Sequence, residues 1–95
     1  MTLGPIGLKI EVKLREAFSP LALLVIDESN QHHGHTGAHP SGESHFRVKL
    51  MAEAFRGQSR VQQHRLVNGV LADELSGRVH ALALELSVPG EEVSA

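Results

Sequence analysis

The sequence predicts a two-layer α+β domain, with helices on one face of a three-stranded mixed sheet, in the order helix, strand, strand, helix, helix, strand. Three observations carry this. Apolar residues recur at helical spacing in two separate stretches. Two other stretches alternate apolar and polar residues, the period of a half-buried strand. Between the first helix and the first alternating stretch lies a short, uninterrupted apolar run.

Ile6, Ile10, Leu14, Ala17 and Phe18 keep helical spacing, with Lys9, Lys13 and Glu16 between them. Pro20 stops this helix, because its ring disfavours the helical conformation at Ser19. LALLVID, from Leu21 to Asp27, has strand length and is expected to be covered on both faces. From His45 to Ala52 the alternation is clean: Phe46, Val48, Leu50 and Ala52 point one way, and His45, Arg47, Lys49 and Met51 the other. Phe55, Arg56 and Gly57 turn the chain, and Ser59 is suited to cap the next helix. Helical spacing then runs through Val61, Leu66, Val67, Val70, Leu71 and Leu75. Asn68-Gly69 is expected to divide this run into a short helix and a longer one, with Gly77 closing the second. In VHALALELSV, His80, Leu82, Leu84 and Leu86 share one face of the third strand, and Ala81, Ala83 and Glu85 the other.

The first two strands can pair antiparallel. The helical segment from Ser59 to Ser76 is long enough for a right-handed crossover, which sets the third strand parallel to the second. The 95 residues then form one domain, with an ordered core over about 6–88, a mobile connection over 29–43 and a frayed acidic tail over 89–95.

Composition narrows the chemistry. With 41% hydrophobic residues, no Trp, no Tyr and three Phe, the core must be built mainly from Leu, Val, Ile and Ala. A formal charge of −2 gives no global reason to expect a polyanionic partner. No apolar run approaches the roughly 20 residues that span a bilayer. The opening MTLGPIGLKIEVKL lacks a basic segment followed by an apolar one, so no signal peptide and a soluble, cytoplasmic protein are expected. The absence of cysteine removes disulfides, thiolate metal sites and cysteine nucleophiles. Any metal chemistry must use histidine or carboxylate, or thiolates from another molecule.

Four of the seven histidines, His32, His33, His35 and His39, crowd into the connection between the first two strands. In HHGH, Gly34 gives the backbone freedom for His32 and His35 to converge on one ion. A solvated polar loop is the plainer reading. His80 stands at the entry to the third strand, either as a rim residue bonded to backbone or as a ligand held on a rigid element. Between Ser44 and Ala72, five basic residues (Arg47, Lys49, Arg56, Arg60, Arg65) stand against one acid, Glu53. Two helices joined by a short turn with such a stretch could dock on phosphates, although a solvated helix face is the commoner meaning. The helical segment from Ser59 to Ser76 has no Phe, Tyr or Trp for stacking bases. HExxH, a Gly-rich phosphate loop and a G-x-S-x-G elbow are all absent, and Asp27-Glu28 has no acid–base counterpart, so the chain is expected not to be an enzyme.

FRGQSRVQQHRLVNGVLADEL followed by VHALAL, and preceded by ESHFRV and VIDES, resembles the BolA-like family over about residues 6–88. The resemblance implies a class II KH-like fold. It also implies pairing with a monothiol glutaredoxin and a shared [2Fe-2S] cluster, with thiolates from the glutaredoxin cysteine and glutathione and histidine from this chain. The family's C-terminal ligand falls on His80. Its second ligand lies in the connection between the first two strands and is Cys or His by subtype, so this chain resembles the histidine type. Counting forward from DES favours His32, HHGH makes His35 its equal, and counting back from ESHF permits His39. Alone, the chain is expected to be monomeric, with no tightly bound cofactor. The family is also associated with transcriptional regulation and cell shape under stress. DNA contact through the helix-turn-helix region would fall on Arg56, Arg60, His64 and Arg65.

Overall fold

The computed structural model describes residues 3–29 and 42–90. Helix α1 (Pro5–Phe18) starts with proline in its first turn, where the missing N–H costs nothing. It ends at Ser19, which adopts the left-handed conformation (φ 45°, ψ 57°) and donates its N–H to the Arg15 carbonyl at 3.0 Å. Strands β1 (Ala22–Asp27) and β2 (His45–Met51) pair antiparallel, with Val25 opposite Val48. Strand β3 (Ala81–Ser87) runs parallel to β2, with Leu84 opposite Val48. The sheet order β1-β2-β3 is the mixed topology that the element order implied.

Phe46, Val48 and Leu50 form the buried face of β2. They belong to one core with Ile10 and Leu14 of α1, Phe55 of a 3₁₀ turn (Glu53–Phe55), and Val67 and Leu71 beyond it. The rings of Phe18 and Phe55 meet at 5.1 Å, so aromatic packing closes the end where α1 leaves the sheet. Helix α2 (Arg60–Val70) opens with a full capping box: Ser59 Oγ accepts from Gln62 N–H, and the Gln62 side chain accepts from Ser59 N–H.

Two expectations need correction. The apolar run of β1 is covered on one face only: Val25 is buried, but Leu24 is 52% exposed. The buried apolar side chains of α1 and α2 join the core on the Phe46 face, and on the opposite face Leu24 of β1 stays open. The helix break also falls elsewhere. Asn68 and Gly69 stay helical within α2, and the chain bends at Leu71 (φ −100°, ψ 19°) before the short α3 (Ala72–Ser76), so the first helix is the longer. Glycine in a helix costs only about 1 kcal/mol relative to alanine, which burial of Val67 and Leu71 on either side can offset. Gly77 does close α3, with an ordinary negative φ of −108°.

Candidate functional site

Because β1 runs opposite to β2 and β3, the end of β1 and the starts of the other two strands share one rim of the sheet. Polar side chains tie this rim together. Asp27 Oδ1 accepts the N–H of Ser29 at 2.9 Å as well as its hydroxyl, while Oδ2 accepts the Glu43 N–H at 3.2 Å. Ser29 Oγ accepts the backbone N–H groups of Ser44 at 3.0 Å and His45 at 3.3 Å. The Glu43 carboxylate in turn accepts from Ile6 N–H at 2.6 Å and Gly7 N–H at 2.9 Å, capping α1 where Gly4 has no side chain to do so. Both ends of the β1–β2 connection are thus anchored, and the orphan donors of α1 are satisfied from the same place.

His80 is fixed by this rim through its backbone. The Ser44 carbonyl accepts two bonds, from His80 N–H at 2.7 Å and Ala81 N–H at 3.1 Å. The His80 side chain is exposed, and among the described residues neither ring nitrogen has a hydrogen-bond partner. Its ring lies 5.7 Å from that of His45, tilted by 51°. His45 is itself 7% exposed, and its Nδ1 shares a 2.9 Å hydrogen bond with the Ser44 hydroxyl.

Alternation placed His45 on the outward side of its strand without indicating that it is buried. Nor did it indicate Ser44 as the residue joining His45 to His80. The only signal was the polar pair SH placed directly before an alternating run. Beside them, Arg47 bonds Glu28 at 2.9 Å and Glu85 at 3.0 Å. The Glu28 bond, then the Glu85 bond, hold the Arg47 pKa above its ordinary value. Asp27 and Glu28 therefore both have structural occupations.

Among the described residues no group of three or more His, Asp or Glu could hold a metal ion. One exposed imidazole can supply one ligand and no more. His32, His35 and His39, the other candidate ligands, lie outside the described residues.

The basic residues separate. Arg56 binds back to Glu53 at 2.6 and 3.0 Å and to the Pro89 carbonyl at 2.8 Å. That pairing holds the Glu53 carboxyl below its ordinary pKa. Arg60 and His64 stand one turn apart on α2 and, with Lys49 and Met51, line a half-open groove of about 570 Å³. Arg60 and Arg65 are exposed, and neither forms an ion pair among the described residues. No described helix is long and apolar enough to cross a membrane.

A family model described as BolA-like protein matches residues 14–91. BolA-like protein 1 of Homo sapiens is 43% identical over 89 residues, which are 94% of this chain and 62%, under two thirds, of the human protein. The DNA-binding transcriptional regulator BolA of Escherichia coli is 47% identical over 76 residues, 80% of this chain and 69% of that protein. The solved BolA domain of SufE1 from Arabidopsis thaliana matches with a TM-score of 0.87 at 40% identity, covering 96% of this chain and 100% of that one.

Proposed function

Since the chain belongs to the BolA-like family, we propose that it is an adaptor that lends histidine to a [2Fe-2S] cluster shared with a monothiol glutaredoxin and its glutathione. The observation that carries this reading is the exposed imidazole of His80 on a backbone pinned twice to Ser44, with both ring nitrogens unengaged by any described residue. A ligand on a strand entry keeps its position better than one on a loop. A single such donor cannot retain a metal centre alone, and a chain without cysteine cannot supply thiolate. The donor set therefore fits co-ligation, in which a partner brings the thiolates.

His32 or His35, and after them His39, would provide the second imidazole from a connection whose two ends are tied to the His80 rim. The cluster would supply iron and sulfide for transfer or sensing, and imidazole in place of thiolate would raise its reduction potential. Among this chain's own groups, Ser44 positions His80, while Asp27 and Ser29 hold the connection's ends. Anaerobic reconstitution with iron, sulfide, glutathione and a monothiol glutaredoxin tests the reading. We expect an absorption and circular dichroism spectrum distinct from the glutaredoxin homodimer and lost with His80→Ala. An unaltered homodimer spectrum, with no complex formed, would refute it.

A second reading is a DNA-binding regulator, the activity that the E. coli relative's name carries. It is favoured by the exposure of Arg60 and Arg65 on α2 without counter-ions among the described residues. Each phosphate neutralised contributes about −0.9 to the slope of log K against log salt. Arg60→Gln should flatten that slope by about 1, and Arg56→Gln by less, because Arg56 is already engaged by Glu53. A cluster-bridged complex would show no such slope.

A further inference from the structure

We propose that Ser44 and His45 are positioning residues for His80, a reading that rests on His80 being the ligand. Three links close a circuit. The Ser44 carbonyl holds the backbone of His80 at 2.7 Å and of Ala81 at 3.1 Å. The Ser44 hydroxyl holds His45 Nδ1 at 2.9 Å. The His45 ring then meets the His80 ring at 5.7 Å and 51°, which is tilted aromatic contact. One residue thus fixes His80 from both sides, by its main chain directly and by its side chain through a second imidazole.

Burial makes the device rigid. Ser44 is 1% exposed and His45 is 7% exposed, so neither can swing away without opening the rim. Ser44 N–H and His45 N–H are both held by Ser29 Oγ, which Asp27 fixes in turn. A polar ring buried on the outward side of a strand contributes little to the core described above, whose members lie on the Phe46 face. An exposed histidine free of His45 would sample several rotamers, of which one presents its nitrogen to the partner. Holding that rotamer in advance is worth about threefold to tenfold in the affinity of the bridged complex.

His45→Phe, His45→Ala and Ser44→Ala test this beside His80→Ala, each first shown to be folded by its amide spectrum. In the free chain, His80 χ1 and χ2 populations are measured by side-chain NMR couplings and ring-carbon relaxation. In the complex reconstituted with glutaredoxin, glutathione, iron and sulfide, the dissociation constant and midpoint potential are measured. We expect a dominant His80 rotamer in the native chain, averaged rotamers and about threefold to tenfold weaker assembly in His45→Ala, and a smaller loss in Ser44→Ala. His45→Phe keeps the ring contact and should retain most of the order. A merely structural role would lower the melting temperature in these variants while leaving rotamers, affinity and potential at native values. That outcome, with His80→Ala still abolishing the complex, overturns this inference alone. A complex that survives His80→Ala overturns the ligand reading beneath it.

Discussion

Removing the Glu43 carboxylate should unmoor the start of α1 and destabilise the whole domain. The carboxylate accepts Ile6 N–H at 2.6 Å and Gly7 N–H at 2.9 Å, and Gly4 before them contributes no side-chain cap. Losing an N-cap acceptor costs about 0.5–2 kcal/mol, and losing a negative charge at a helix N-terminus a further 0.3–1 kcal/mol or so. Water can replace part of both at this half-buried site, so Glu43→Ala should cost about 2 kcal/mol. For a domain of this size that lowers the melting temperature by roughly 8–16 °C. Glu43 also carries a positive φ of 59°. Glycine tolerates that conformation, which costs another residue about 1 kcal/mol. Glu43→Gly should therefore lose only about half as much as Glu43→Ala, although it removes more atoms. Urea unfolding followed at 222 nm gives both values, and amide exchange at Ile6 and Gly7 localises the effect. A Glu43→Ala loss under about 0.3 kcal/mol, or Glu43→Gly less stable than Glu43→Ala, would refute the reasoning.

Gly4→Ala should act the same way from the opposite side, because a Cβ there would collide with the Glu43 carboxylate; faster exchange at Ile6 and Gly7 is the check. Lys13 Nζ lies 2.8 Å from the Glu74 carboxylate, whose side chain is 6% exposed. Burial opposes the Glu74 charge, but the Lys13 hydrogen bond, a backbone N–H and the Lys13 and Lys9 charges outweigh it and hold the pKa below the ordinary value. Lys13→Met strands that carboxylate, so at neutral pH it should destabilise more than Glu74→Gln, as denaturant midpoints will report. A depressed carboxyl pKa stabilises above its ordinary value and is lost as pH falls through the lowered one. The gap between native protein and Lys13→Met should therefore close in acid; a gap that stays constant from neutral pH to below the ordinary carboxyl pKa would refute the pairing. Leu50→Ala should cost about 2–5 kcal/mol, against under about 1 kcal/mol for Leu24→Ala, since Leu50 is 2% and Leu24 52% exposed. Equal losses in chemical denaturation would mean that the outer face is covered after all.

Ser59, Pro20 and the alternation of Phe46, Val48 and Leu50 each act through their immediate neighbours, by capping, by a proline ring, and by a side-chain period of two. For that reason the elements, their order and the buried face of β2 could be read from the chain. The crossover length did the same for the parallel pairing of β2 and β3. His80 stood out in the sequence because a histidine at the head of an apolar strand face is locally conspicuous. His45 did not: its burial and its contact with the His80 ring, far along the chain, arise only in the fold. Arg56 looked equivalent to Arg60 until Glu53 and the Pro89 carbonyl claimed it.

Period, turn chemistry and composition by themselves determined that this chain forms an α+β domain, that it has no thiolate of its own, and that His80 stands at the entry to its third strand. The tertiary structure alone decided which polar groups are partnered. Glu43 caps a helix 36 and 37 residues away in the chain, Glu74 meets Lys13 across 61, and β1 shows one face because the helices' buried side chains meet at the other. Periodicity is a property of neighbours along the chain. Hydrogen bonds and burial are settled by what the fold brings close in space.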